Sequence, residues 1–257
     1  MFTKTLGSVW HGEGVGVSYL ASSHQARTMN SVLHLPTLQR LPDRDDNDIS
    51  RTQPRHFENH SGVYPLVKRG LDVVGAFTLG GALAPVMVVV AGLIKVSSPG
   101  PVIYTQRRLT EGGREFMLCK FRTMRHEAER ESGAIIARLH DSRITPVGRF
   151  LRKTRLDELP QLVNVLRGEM SLIGPRPERP ELARNFEKKI RGFHRRLRVK
   201  AGLTGLAQVI QGYPEYTDGY RQKLALDILY IKRRSLRLDA WIVLRTIGVV
   251  LSGSGAR

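Results

Sequence analysis

The chain has 257 residues, a formal net charge of +18 and a single cysteine. That length supports one hydrophobic core with appendages, and the lone Cys119 excludes an internal disulfide and fits a reducing compartment. The charge is uneven: residues 1–62 hold six Lys/Arg and six Asp/Glu, whereas residues 63–257 hold 35 and 17 and carry the whole surplus. Such a surplus calls for a polyanionic partner, whether nucleic acid, an anionic membrane surface or a phosphorylated substrate.

Residues 1–62 are rich in Ser, Gly, Asn, Asp and His and lack apolar periodicity, so they read as a disordered tail. No basic start followed by an apolar run marks a signal peptide. "GEGVGV" at 12–17 has no strand–helix context and is a weak phosphate loop. Five of the eight histidines are scattered through this segment, as expected of a solvated tail rather than a metal site.

At residue 63 the composition changes. From Val73 to Ile94 there are 22 positions without a charge, and about 20 suffice to cross a bilayer as a helix. Both flanks are basic (Lys68 and Arg69 before, Lys95, Arg107 and Arg108 after), and Pro85 lies near the middle. One span, a segment bent at Pro85 that enters and leaves by the same face, and a buried core helix are all open on this pattern.

"SSPGPVIYTQRR" predicts a turn and a strand, and the alternation in "REFMLCKFRTM" predicts a second strand. Residues 126–140 read as a polar helix or loop. "LDELPQLVNVLRGEM" has helical spacing through Leu159, Leu162, Val163 and Leu166. Leu182, Phe186, Ile190, Phe193 and Leu197 share one face of a helix predicted over 181–197, with Lys188, Lys189, Arg191, Arg195 and Arg196 on the rest. This is either a surface helix on the core or one lying in a membrane interface. Two further helical patterns cover 220–232 and 238–251, the second with Trp241 suited to an interface.

Within the basic region, "TRLDELPQL" sets Asp157 and Glu158 side by side. On one reading Thr154 and Asp157 form a capping box, Pro160 sits in the first turn, and the acids favour a helix dipole. On the other, an ionised carboxylate attacks phosphorus to form an acyl phosphate, while its neighbour holds a divalent cation. Attack by an anion on a diphosphate needs surrounding cations. Arg149, Arg152, Lys153, Arg155 and Arg176 are at hand in sequence.

"KFRTM" (120–124), "RITPVGRFLRKTRLDELPQLVNVLRGEMSLIGPRPE" (143–178) and "GLTGLAQV" (202–209) resemble the bacterial sugar transferase family, the monotopic polyprenyl-phosphate phosphoglycosyl transferases. The resemblance runs from about Val63 to about Leu251. It implies an α+β, mainly helical fold: a re-entrant membrane helix region over 63–100 with Pro85 as its kink, and a catalytic domain over 101–257 with interfacial amphipathic helices and a small β element. It implies transfer of a sugar 1-phosphate from a UDP-sugar to undecaprenyl phosphate with release of UMP, the initiating step of exopolysaccharide or related glycan synthesis. By the same resemblance Asp157 is the nucleophile, Glu158 a Mg2+ ligand, and Arg152 and Arg176 phosphate-handling residues. Lys120 and Arg122 belong to an element that is structural or phosphate-facing. The implied setting is the bacterial inner membrane, with anionic lipid as a partner, the catalytic domain on the cytoplasmic face, and self-association open. Some positions depart from the pattern the resemblance implies: Ala84 stands where Ser is common before Pro85, Thr110 where Gly is common, Arg155 where Ser or Thr is common, and Ala201 where Pro is common.

Two alternatives are weaker. A basic nucleic-acid-binding protein leaves 73–94 unexplained, and only 7% of residues are aromatic, too few for interleaved stacking. A non-catalytic membrane scaffold of the same fold has no need of the intact acid pair. No Walker or kinase motif points to another phosphoryl-transfer class.

Overall fold

The computed structural model describes residues 62–125, 141–211 and 217–252. The tail read over 1–62, Gly62 apart, and the polar stretch 126–140 lie outside these residues. Helix α1, Val63–Ser97, contains the charge-free run. At 1.5 Å per residue it is about 52 Å long, against a bilayer core of about 30 Å. Its charge-free run is apolar all round, as suits a helix surrounded by lipid or protein. The chain stays helical through Pro85, although proline removes the bond that would reach the Gly81 carbonyl. Both ends pack: Asp72 and Ala76 are buried toward the start, Val90 and Ile94 toward the end. No residue from Phe77 to Val89 is buried.

The two predicted strands form an antiparallel hairpin, β1 (Ile103–Leu109) and β2 (Glu115–Phe121), with Ile103 opposite Phe121 and Leu109 opposite Glu115. Alternation sets Phe116, Leu118 and Lys120 on one face of β2. Phe116 and Leu118 join Ala76, Leu162, Val165, Met170 and Ala201 in one apolar core. Phe121, Val90, Ile94 and Leu151 form a second. Helix α1 thus contributes to both.

Helix α2 (Pro146–Thr154) has Thr145 as its cap, whose hydroxyl accepts from the Gly148 N–H at 2.9 Å, and Pro146 in its first turn. A 3-10 turn at Leu156–Glu158 and a short α3 (Gln161–Leu166) follow. "MSLI" forms strand β3 (Met170–Ile173), which pairs in parallel with β4 (Ala201–Thr204). No strand was expected at either place. Parallel pairing requires a long crossover, and here it carries Arg176, Glu178 and α4 (Pro180–Lys189).

The single helix expected over 181–197 is two elements. The first ends at Lys189, where Ile190 turns extended, and Gly192, with φ at 76°, leads into a 3-10 turn over Phe193–Arg198. Arg196, assigned by periodicity to a cationic surface, is buried. A five-residue α5 (Leu206–Ile210) precedes α6 (Thr217–Arg233) and α7 (Leu236–Ser252), close to the predicted helices. Helix α7 exposes Leu244, Ile247 and Leu251.

Two of the departures from the family pattern touch each other. The Thr110 hydroxyl donates to the Glu169 carbonyl at 2.8 Å and accepts the Ala201 N–H at 3.2 Å. A proline at 201 has no N–H to satisfy, and a glycine at 110 has no hydroxyl to satisfy it.

Candidate active site at the acid pair

The capping-box reading of Thr154 fails. Its hydroxyl donates back to the Phe150 carbonyl at 2.9 Å, within reach of the Leu151 carbonyl at 3.2 Å, and caps nothing downstream. Helix α2 instead ends at Arg155, the one non-glycine residue with positive φ (59°) among those described. A left-handed conformation costs a side-chain-bearing residue about 1 kcal/mol. The reversal turns the chain inward, so that Asp157 and Glu158 are buried in the 3-10 turn rather than exposed at a helix start. Pro160 precedes α3, and its first turn has no side-chain cap.

The two acids have different surroundings. Glu158 Oε1 receives Lys120 Nζ at 3.1 Å and Arg176 Nη2 at 2.6 Å, with Arg155 Nη1 at 3.7 Å, and Arg176 Nη1 reaches Oε2 at 3.3 Å. Burial alone pushes this carboxyl up, but Arg176, Lys120 and Arg155 together outweigh it and hold Glu158 well below the usual carboxylate range. Asp157 Oδ1 is buried and has no hydrogen-bond partner. Burial pushes Asp157 up, the Glu158 charge adds to this, and Lys120, Arg152 and Arg176 offset only part of it.

Local architecture explains these positions. Lys120 comes from the inner face of β2. Asn164 of α3 fixes that strand: its amide nitrogen donates to the Met117 carbonyl at 2.8 Å, and its oxygen accepts the Cys119 N–H at 3.0 Å. Arg152 donates through Nε to Thr123 Oγ1 at 2.9 Å. The Thr123 carbonyl accepts the Thr145 N–H at 3.0 Å and lies so close to Gly148 that a Cβ there would stand 2.0 Å away. "KFRTM" therefore binds α2 to the hairpin. Arg122 contributes to that scaffold: Nη1 donates to the Pro99 carbonyl and Nη2 to the Ser98 carbonyl, each at 2.7 Å. Arg149 and Lys153 are exposed on α2.

Arg176 is held from behind. Its carbonyl accepts Arg196 Nη2 at 2.8 Å. Arg196 also pairs with Asp227 at 2.7 Å and Glu178 at 3.2 Å, and Lys223 completes the cluster on Glu178. Sequence reasoning did not single out this cluster: Glu178 closes the 143–178 motif without a role, Arg196 was placed on a cationic helix face, and Lys223 and Asp227 fall in no motif. The loop bearing Arg176 packs backbone to backbone with "GLTG", where a Cβ on Gly202 would lie 2.1 Å from Gly174 N.

The profile of the bacterial sugar transferase family matches residues 63–253, which include every residue of this cluster. The chain belongs to that family. It is similar to an Aeromonas hydrophila protein named UDP-N-acetylgalactosamine-undecaprenyl-phosphate N-acetylgalactosaminephosphotransferase, 45% identical over 197 residues that cover 77% of this chain and 46% of the relative. It is similar to a Caulobacter vibrioides protein named UDP-glucose:undecaprenyl-phosphate glucose-1-phosphate transferase, 44% identical over 195 residues that cover 74% of this chain and 72% of the relative. A Xanthomonas campestris protein of the same name is 43% identical over 171 residues, covering 66% of this chain and 35% of the relative. The chain thus spans from about a third to nearly three quarters of these family members.

Proposed function

We propose that this chain transfers a sugar 1-phosphate from a UDP-sugar to undecaprenyl phosphate or a similar polyprenyl phosphate, as the initiating step of exopolysaccharide or glycan assembly. The observation that carries the reading is the asymmetry of the acid pair: a buried Asp157 oxygen without a partner beside a Glu158 that gathers Lys120, Arg155 and Arg176. The Asp157 carboxylate attacks the phosphorus that bears the sugar. A P–O bond to that phosphorus forms as the one to UMP breaks, and UMP leaves. A phosphate oxygen of the polyprenyl carrier then attacks the same phosphorus, the acyl phosphate bond breaks, and the Asp157 carboxylate is restored. The cations on Glu158, with Arg152, offset the repulsion between carboxylate and diphosphate.

Among the described residues no three His, Cys, Asp or Glu side chains converge on a metal-binding position. Mg2+ takes one or two carboxylates and completes its shell with substrate phosphates and water. Glu158 would hold the ion, which would supply further neutralisation of phosphate charge.

Membrane attachment through α1 brings this chemistry to the lipid phosphate. The packing of both α1 ends and the lack of burial from Phe77 to Val89 support a helix that dips into the cytoplasmic leaflet of the inner membrane and returns. The apolar face of α7 would then lie at the interface. The test is UMP release by purified protein with Mg2+, undecaprenyl phosphate and a panel of UDP-sugars that includes UDP-glucose and UDP-N-acetylgalactosamine. Release that requires one sugar, the lipid and Asp157 supports the reading; release that persists in Asp157→Asn sinks the covalent route.

A further inference from the structure

A second basic site lies at the other end of α1. A crevice of about 140 Å³ is walled by the first turns of α1, the end of α6 and the residues before β4. Its cations are Lys68, Arg69, Lys200 and Arg234; the carboxylates in its lining are Asp72 and Glu111. Lys68 is committed to Asp239 at 3.0 Å. Asp72 Oδ1 is committed to the Leu172 N–H at 2.9 Å and the Ser171 hydroxyl at 3.0 Å.

Counted with Asp239, the four cations face three carboxylates, Asp72, Glu111 and Asp239, which leaves a surplus of one positive charge. Arg69 caps α3 through the Val165 and Leu166 carbonyls at 2.7 and 3.0 Å, which are neutral groups. A Cβ on Gly168 would lie 3.4 Å from Arg69 Nη2 and 3.8 Å from Lys200 Nζ, so the two cations approach within about 7 Å. Arg234 stacks over the Tyr64 ring at 5.9 Å, and its Nε is buried without a partner. An anion between these groups would satisfy that donor and relieve the like-charge repulsion.

We infer that this crevice binds the phosphate of an anionic phospholipid headgroup, separately from the acid pair. Position decides between a lipid and a soluble anion. Lys68 and Arg69 lie one turn before the charge-free run, and the neighbouring Leu66, Leu71 and Val74 of α1 are exposed. A phosphodiester seated in the crevice has its acyl chains directed along that apolar surface, at the depth where headgroups meet hydrocarbon. The inference rests on the membrane reading of α1 and is independent of the transfer reaction.

The experiment compares apparent Tm of the full chain in neutral detergent with dioctanoyl phosphatidylglycerol, dioctanoyl phosphatidylcholine or inorganic phosphate. Phosphatidylglycerol at ten times its dissociation constant is expected to raise Tm by about 4 °C, while phosphatidylcholine does not. Lys200→Gln/Arg234→Gln loses most of that rise. The charge-matched Lys188→Gln/Lys189→Gln, at two exposed residues of α4, keeps it. If the first double variant folds poorly, Lys200→Gln alone carries the comparison, read as phosphatidylglycerol molecules retained in native mass spectra. No rise in the wild type, equal loss in both double variants, or full reproduction by inorganic phosphate overturns the inference.

Discussion

Two clusters of buried charge lie on either side of Arg176, and they differ in what is left over. Around Glu178, Arg196, Lys223 and Asp227, the charges are matched, with Arg196 and Asp227 each 2% exposed. Around Asp157 and Glu158, the cations gather on one acid and the other keeps a bare oxygen. The first arrangement holds the chain in place, and the second, on the proposed reading, leaves a carboxylate available to attack. Arg176 belongs to both, its guanidinium on Glu158 and its carbonyl on Arg196. Charge density alone does not distinguish the two clusters; the bare carboxylate oxygen of Asp157 does.

The sharpest test of the contrast is Asp157→Asn. Losing a nucleophile is expected to reduce turnover by at least about 1,000-fold, while Tm stays level or rises because a disfavoured buried charge is removed. UMP release and thermal melting on the same sample separate the two. The mirror experiment is Asp227→Ala, which leaves Arg196 buried and under-paired. It should cost about 3–5 kcal/mol, measured by chemical denaturation, and equal stability in the two variants would erase the distinction.

A smaller effect appears in the pH profile. Lys120 favours the ionised form of Asp157, and attack needs that form. Lys120→Met should therefore move the acid limb of kcat/KM to higher pH, and an unmoved limb would mean that another group controls it. Acid also probes the matched cluster. Burial pushes Glu178 up, but Lys223 and Arg196 outweigh it and hold it down from 4.5 to about 2. A depressed carboxyl stabilises the fold above its unfolded pKa, and that contribution is lost as pH falls from 4.5 through about 2. Stability measured across that window should fall less steeply in Glu178→Gln than in the wild type.

Much of this was legible in the sequence. The charge-free run is legible from its length, and the alternating hairpin strands and the C-terminal helices from their periods; each lies close to where it was expected. The acid pair was visible as a motif. What was hidden is short or is decided by single dihedrals. Strands β3 and β4 have four residues each, too few for alternation to show. The apolar spacing of 181–197 continues across Gly192 although the helix does not. The inward turn depends on the left-handed Arg155, a conformation its side chain does not advertise. The burial of Arg196 depends on Asp227, 31 residues away, and local pattern carries no trace of such a pairing.

The contact between Thr110 and Ala201 bears on how such sequences can change. The Ala201 N–H relies on the Thr110 hydroxyl, whereas a Gly and Pro pair would need no such bond. Each half of the exchange made alone strands a polar group or removes its partner, at a cost of about 1–3 kcal/mol. Made together, the two changes remove both ends of that bond, and only the Glu169 carbonyl is left without the Thr110 hydroxyl. The two positions are therefore coupled: the double replacement is expected to cost less than the sum of the two single ones, which a double-mutant cycle measures.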